Sequence, residues 1–174
     1  MIFSVWQHGA RAHDGLMRAG PRTVRCALGK NGIVADGREG DGATPSGTYP
    51  LRHVLYRADR GGRPTTALKA SPIGPRDGWC DDPDSQAYNR PIRFPFPRSA
   101  EHLTRRDRLY DRIVVLGHND NPVVPGLGSA IFMHVARADY RATLGCVALA
   151  PDDLTYVLKL AHPHSRLHIM QTPR

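Results

Sequence analysis

From Ser129 to Leu149 the chain reads SAIFMHVARADYRATLGCVAL. It opens with an apolar run that ends near a histidine, and it closes with a threonine, a glycine and a cysteine in front of a second apolar run. Short apolar runs bounded by polar and turn-forming residues are typical of buried strands. We therefore predict a strand over Ser129–Val135, which carries His134, and a second strand that starts at Cys146.

Working outward from this stretch, other short runs of apolar and β-branched residues predict more strands. They lie at Ile2–Trp6, Thr23–Leu28, Thr48–Tyr56, Arg112–His118 and Ser165–Met170. The residues GKNG at 29–32 are a strong hairpin signal, which makes Ile33–Val34 the start of a return strand. The polar, glycine-containing residues 7–20 predict a turn.

One main helix is predicted, over Pro151–Ala161. Pro151 suits a first helical turn, and Asp152 and Asp153 lie where the helix dipole favours acids. Residues 71–99 are rich in proline and have no helical period, so we predict a long loop there, acting as a lid or substrate-side insertion. The fold class is therefore mostly β, with one main helix and long loops, in a single domain over residues 1–174.

Composition narrows the class of protein. A chain of 174 residues with 40% hydrophobic and 23% charged residues is long and apolar enough for one core, so disorder is not expected. The longest apolar run, Ile113–Gly117, is far shorter than the roughly 20 residues of a membrane-spanning helix. The first twenty residues include several charged and histidine residues, so no secretion signal is visible.

The formal net charge is +8, from 24 Lys and Arg against 16 Asp and Glu. Such a charge can attract a polyanion, but the arginines are scattered and the densest run, Arg105–Arg108, is interrupted by Asp107. We favour a soluble basic protein without a specific nucleic-acid partner. A non-catalytic cell-wall or nucleic-acid binding module remains an alternative.

The residues with the clearest chemistry are Cys146 and His134. A thiolate is a strong nucleophile, and an imidazole beside it can take its proton and depress its pKa. Gly145 lets the backbone turn tightly so that amides can face a developing oxyanion, and Thr143 can tie that turn together. The alternative is structural, because a Gly-Cys pair is often a buried strand start and a lone strand histidine is often a core residue.

The other two cysteines are weaker candidates. Cys26 lies within a predicted strand and is expected to be a buried structural thiol. Acidic residues surround Cys80, and their charge raises the pKa of a thiol. A disulfide between Cys26 and Cys80 is compatible with the sequence but is not decided by it.

Two segments resemble the YkuD-like family of L,D-transpeptidase catalytic domains, in a short, Arg-rich bacterial branch. The family has a histidine and, after a spacer, Ser/Thr-x-Gly-Cys and a small apolar residue, matched here by His134, Thr143, Gly145, Cys146 and Val147. The residues TPSGTY at 44–49 are similar to the family's Thr-Pro-x-Gly-x-Phe/Tyr segment. The chain departs from the better-known pattern at Val135, Leu144 and Ala148, where the family often has glycine or serine, histidine, and arginine or asparagine.

The resemblance implies a β-sandwich-like domain that transfers acyl groups on peptidoglycan stem tetrapeptides. Cys146 would attack the peptide bond after the third stem residue, and the terminal D-amino acid would leave. An amine of meso-diaminopimelate on another stem would then resolve the thioester; with water instead, the activity is that of an L,D-carboxypeptidase or endopeptidase. The resemblance implies no metal and no organic cofactor, and it implies carbapenems as inhibitors.

Four further residues are candidates for substrate binding. Arg137 can hold a carboxylate, and His118 ends the predicted strand next to that of His134. Trp79 and Tyr88, in the long loop, can contact glycan or peptide. The structural alternatives are a solvated arginine, a polar strand end and packing that pins the loop. The nine histidines and three cysteines show no zinc-site spacing, so no metal site is predicted.

The place of action is expected from the substrate. Peptidoglycan implies the periplasm or the cell envelope. Because no signal is visible, a processed precursor, another export route and a cytoplasmic role on recycled peptides all remain open.

Overall fold

The computed structural model describes residues 1–171 and is built mainly from strands. In chain order its elements are β1 (Ile2–Gln7), β2 (Asp14–Ala19), β3 (Arg22–Ala27), β4 (Ile33–Val34), β5 (Thr44–Pro45), β6 (Gly47–Tyr56), α1 (Ala58–Gly61), β7 (Ala70–Pro72), β8 (Asp77–Cys80), β9 (Pro91–Arg93), β10 (Ala100–His102), β11 (Arg112–Leu116), β12 (Phe132–Val135), β13 (Val147–Leu149), α2 (Pro151–Leu160) and β14 (Arg166–Met170).

Nine strands form the main sheet, in the order β11-β12-β13-β3-β2-β1-β14-β6-β7. The long strand β6 pairs with β14 through Gly47–Pro50 and with β11 through Leu51–Tyr56. Because β11 is also the first strand of this order, the ladder returns on itself. The sheet therefore curls around an interior.

Apolar side chains from the concave face and from α2 fill that interior. Phe3 of β1, Met17 of β2 and Leu149 of β13 are fully buried there. The helix contributes Leu154, Val157 and Leu158 to the same cluster. The predicted helix is thus present, with Pro151 in its first turn, and its apolar stripe covers the core.

Alternation along the strands sends every second residue to the opposite face of the sheet. On β12, Met133 and Val135 point into the main core, whereas Phe132 belongs to a second apolar cluster. On β11, Val114 and Leu116 lie in the main core, and Ile113 and Val115 in the second cluster. The strands beside the candidate cysteine are therefore buried on both faces.

A small three-stranded sheet, ordered β10-β8-β9, covers the second cluster. The ring of Trp79 on β8 meets the ring of Phe132 edge-on, with 5.2 Å between their centroids. The prediction of a long loop over residues 71–99 is thus wrong in part, because β8 and β9 lie inside it. Strands of three or four residues are too short to show an alternating pattern, and Pro91 is tolerated because β9 is an edge strand. Whether this segment moves as a lid stays a prediction.

Two other local predictions are wrong. Residues 7–20 are not only a turn, since β2 occupies Asp14–Ala19 and forms a hairpin with β3. The turn at residues 29–32 exists, with the amide of Gly32 donating to the carbonyl of Gly29 at 2.9 Å. However, Ile33–Val34 pair in parallel with Thr44–Pro45 instead of returning along β3. The mostly β fold class with one main helix is confirmed.

Candidate active site

The sheet places His134 and Cys146 on the same face. β12 and β13 run parallel, with Met133 opposite Val147 and His134 opposite Ala148. Met133 and Val147 point into the main core, so His134 and Ala148 face the other way. Cys146 directly precedes Val147 and also lies in the second cluster. Both predicted catalytic side chains consequently line one cleft, between the main sheet and the small sheet.

The Cys146 thiol is buried but reaches the cleft. Its residue is 8% exposed, and its Sγ–H donates to the carbonyl of Ala130 at 3.3 Å. The amide of Phe132 donates to the Sγ atom at 3.4 Å. Burial raises the pKa of this thiol to about 12, and the negative charge of Glu101 adds to the increase. The expected depressed pKa is therefore wrong for the free protein, in which Cys146 is a neutral thiol.

The His134 imidazole is held in one tautomer. Its Nδ1 lies 2.8 Å from the carbonyl oxygen of Val135, and because a carbonyl only accepts, Nδ1 carries the proton. Nε2 is then left with a lone pair, as a general base requires. Burial lowers the pKa of His134 to about 4, so the ring is neutral. The edge of the Tyr110 ring packs against it, with centroids 5.2 Å apart.

The turn before Cys146 is fixed by hydrogen bonds from one hydroxyl. Thr143 Oγ1 donates to the carbonyl of Cys146 at 2.7 Å and accepts from the amide of Gly145 at 3.1 Å. Gly145 has φ +137, where a side chain is strained, and an added Cβ would stand 2.9 Å from the carbonyl oxygen of Ala43. Thr143 and Gly145 thus shape the backbone that presents the thiol.

The upstream motif at residues 44–49 meets this turn in space. The buried Thr44 hydroxyl accepts from the amide of Gly29 at 2.8 Å. Lys30 donates its amide to the carbonyl of Thr143 at 3.1 Å, and the amide of Thr143 donates to Leu28 at 2.8 Å. The two segments that carry the resemblance are therefore joined through the residues that follow β3.

The cleft has a volume of about 360 Å³ and a mixed charge. Tyr110, Ser129, Leu144 and the histidine–cysteine pair line the cleft. Three carboxylates and three guanidinium groups also line it, those of Glu39, Asp81, Glu101, Arg105, Arg137 and Arg141. Of these, only Arg137 is among the predicted substrate-binding residues. Its guanidinium lies 3.9 Å from Asp107 and is half-exposed, so it is available to a ligand.

The other three predicted substrate-binding residues lie outside this cleft. His118 follows the far end of β11, which is antiparallel to β12, and lines neighbouring depressions instead. Trp79 donates its Nε1–H to Asn89 at 2.9 Å and lines a separate cavity. Tyr88 is buried, and its hydroxyl donates to Glu39 at 2.5 Å. For Trp79 and Tyr88 the contacts are those of packing that pins the segment down, and a role in substrate binding stays a prediction.

The carboxylates and two of the arginines of the cleft were not predicted from the sequence. Asp81 directly follows β8, and Glu101 lies on β10 of the small sheet, whose existence the proline-rich composition hid. Glu39 stands at the start of the glycine-rich segment that carries the upstream motif. Its place in that segment was the feature of the sequence that could have identified it as a site residue. Tyr110, beside β11, gave no local signal.

Within the described residues, all three cysteines are free thiols. Cys26 and Cys80 are therefore not joined by a disulfide, and both are fully buried. Among residues 1–171 there is no group of three or more His, Cys, Asp or Glu side chains placed to hold a metal ion. The same part of the chain contains no helix with the length and apolarity needed to cross a membrane.

These features define a β-rich domain with a histidine and a cysteine in one cleft between two sheets. The family model YkuD, described as the L,D-transpeptidase catalytic domain, matches residues 10–169, which is nearly the whole chain. The chain belongs to this family, whose members are transpeptidases that act on peptidoglycan. No curated protein and no solved structure matches the chain. The family predicted from the two motifs is confirmed.

Proposed function

We propose that this protein is a peptidoglycan L,D-transpeptidase that forms a thioester on Cys146 with stem tetrapeptides. The observation that carries the proposal is the shared cleft of Cys146 and His134, with the imidazole proton fixed on Nδ1. This arrangement leaves Nε2 free to accept the thiol proton. The family's activity supplies the substrate class.

The neutral resting pair determines how the first step proceeds. Because the thiol is protonated and the imidazole is not, His134 takes the proton as the sulfur attacks the carbonyl carbon, in the manner of a general base. Backbone amides that face the cleft beside Cys146 would stabilise the oxyanion; the Gly145 amide is not one of them, because it donates to the Thr143 hydroxyl. The C–N bond then breaks, and the proton held by His134 passes to the departing D-amino acid. A thioester on Cys146 remains.

An alternative acceptor is water, which would make the protein an L,D-carboxypeptidase or endopeptidase with the same residues. The third possibility, a non-catalytic cell-wall or nucleic-acid binding module, has less support. Arginines of the densest basic run are paired with acids, Arg105 with Asp107 at 2.7 Å and Arg108 with Asp111 at 3.1 Å. They do not form a continuous cationic stripe.

Mass analysis after incubation with tetrapeptide-bearing muropeptides tests the proposal. We expect release of the terminal D-amino acid and an acyl adduct on the peptide that contains Cys146. His134→Ala should slow acylation by about 10²–10⁴-fold, because the base is lost. A carbapenem, as a strained acyl donor, should give the same adduct site. An adduct on Cys26 or Cys80, or no adduct with either donor, would contradict the mechanism.

The substrate also leads us to propose that the protein acts in the cell envelope. Subcellular fractionation with an antibody against the protein tests this place of action. A purely cytoplasmic protein that is also inactive on released tetrapeptides would contradict a role in the cell wall.

A further inference from the structure

Three carboxylates line the cleft, and among the described residues only Glu101 has a cation within ion-pair distance. Glu39 is hydrogen-bonded by the Tyr88 hydroxyl at 2.5 Å and Glu101 by the Tyr110 hydroxyl at 2.7 Å. Neither hydroxyl carries a neutralising charge. The cation nearest to Glu101 is Arg105, at 3.7 Å.

The arginines of the same cleft are committed elsewhere. Arg105 lies 2.7 Å from Asp107, and Arg141 lies 2.6 Å from Asp139. Arg137 is also nearest to Asp107, at 3.9 Å. Neither of these aspartates lines the cleft. Each of these arginines therefore lies closer to an aspartate outside the cleft than to Glu39, Asp81 or Glu101, whose charges are only partly balanced.

Two buried oxygen atoms of the cleft also lack partners. Oδ1 of Asp81 is buried at the wall of the cleft and has no hydrogen-bond partner among residues 1–171. The same holds for Oγ of Ser129, whose residue is only 7% exposed. Ser129 precedes Ala130, the residue whose carbonyl accepts the Cys146 thiol. Buried polar atoms without partners are costly, so this pair points to a ligand that donates hydrogen bonds.

We propose that Asp81, Glu101 and Ser129 form a subsite for the primary ammonium group of the acyl acceptor. An ammonium group offers three N–H donors, which the unpartnered oxygens of Asp81 and Ser129 lack, and one positive charge, which Glu101 receives only from Arg105 at 3.7 Å. Water offers no charge, so the subsite selects an amine over water. The inference rests on the proposed thioester mechanism and deepens it, since it decides between transpeptidation and hydrolysis.

The location of Glu101 fits an acceptor in particular. Glu101 and Cys146 line the same cleft, and the negative charge of Glu101 contributes to the raised pKa of the thiol. A nitrogen held by Glu101 consequently lies in the same cleft as a thioester on Cys146. The bound ammonium first releases one proton to solvent. The amine then forms the C–N bond as the C–S bond breaks, and its second exchangeable proton passes through His134 to the departing sulfur.

The test compares two nucleophiles on the same acyl-enzyme. A diamino acid presents an ammonium group, whereas hydroxylamine is uncharged at pH 7.5 and reports the reactivity of the thioester itself. Mass spectrometry measures the ratio of amide to hydroxamate and hydrolysed product in the wild type, Glu101→Gln and Asp81→Asn. Both substitutions keep the shape of the side chain and remove its charge. We expect the amide share to fall at least tenfold in each variant, with hydroxamate formation retained.

Glu101→Gln provides a second readout. Removing the charge that raises the Cys146 pKa should make acylation faster while aminolysis becomes slower, a split that general damage to the fold would not produce. Asp59→Asn removes an exposed carboxylate outside the cleft and should leave both rates unchanged.

Three outcomes would overturn the assignment. An amide share equal to that of the wild type in both variants would show that the carboxylates do not bind the acceptor. A defect confined to acylation, and abolished when the amine of the donor is acetylated, would assign them to the donor. A wild type that forms no acyl-enzyme would instead refute the proposed function on which the subsite rests.

Discussion

Cys26 and Cys146 are both buried free thiols, yet their surroundings differ. Burial raises the pKa of each to about 12. Cys26 lies on β3, opposite Leu149 of β13, and its side chain is buried in the main core with 0% exposure. Cys146 precedes the same short strand β13 but faces the cleft with His134 and Ala148. The resting pKa therefore does not distinguish the reactive thiol from the structural one. The two thiols are distinguished by the face of the sheet on which each one lies.

The largest effect is expected from removing each thiol in turn. Cys146→Ala should reduce turnover by at least about a thousandfold, since no nucleophile remains, while the fold is kept. Cys26→Ala removes a core side chain that does not line the cleft and should lower the free energy of unfolding with much smaller loss of turnover. Acyl-enzyme mass spectra and urea unfolding measure the two effects. Comparable turnover in the two variants would contradict the assignment of Cys146 as the nucleophile and Cys26 as a structural thiol.

The pH dependence of alkylation sharpens the comparison. Only the thiolate reacts, so a pKa of about 12 predicts that the rate at Cys146 rises about tenfold per pH unit above neutrality. Between pH 7 and 9 the increase is about a hundredfold. Cys26 should stay unmodified in the folded protein because the reagent cannot reach it. Peptide mapping after timed iodoacetamide treatment measures both, and a plateau near pH 7 would instead indicate a thiolate–imidazolium pair.

A smaller effect is expected from loosening the turn that aims Cys146. Thr143→Val removes the hydroxyl that bonds both Gly145 and the Cys146 carbonyl, which should cost about 1–3 kcal/mol of unfolding free energy and slow acylation. The matched control is Thr66→Val, which removes a hydroxyl that accepts from the amide of Leu68 away from the cleft. Equal acylation rates in the two variants would show that the turn does not position the thiol.

The smallest effect is expected at the rim of the cleft. Arg137→Ala should lower acylation efficiency about tenfold by removing a charge-assisted contact to a substrate carboxylate. Arg98→Ala is a suitable control, because Arg98 is similarly exposed and also lies near an aspartate, but does not line the cleft. If kinetics with the tetrapeptide are the same in both variants, Arg137 is a solvated loop residue.

The fold and the reactive pair were largely predictable because they depend on local pattern. The apolar runs around His134 and Cys146 predicted two strands, and the Gly-Cys step predicted the turn. Strand β2 was missed because Leu16 is apolar on its outward face and Gly15 has no side chain on its inward face, so the sequence does not alternate. The thiol pKa was predicted with the wrong sign, since it depends on burial by the small sheet and on the charge of Glu101. Both are set by tertiary packing between segments distant in sequence.

Strand β14 has a consequence for how the protein is made. It lies between β1 and β6, pairing with Ile2–Trp6 on one side and with Gly47–Pro50 on the other. Residues 166–170 leave the ribosome long after both partners. Until then β1 and β6 each keep an open edge of unpaired amides and carbonyls, which attracts other chains. A nascent chain lacking this strand cannot close its sheet, so the cleft is completed only late in synthesis and needs shielding from aggregation until that moment.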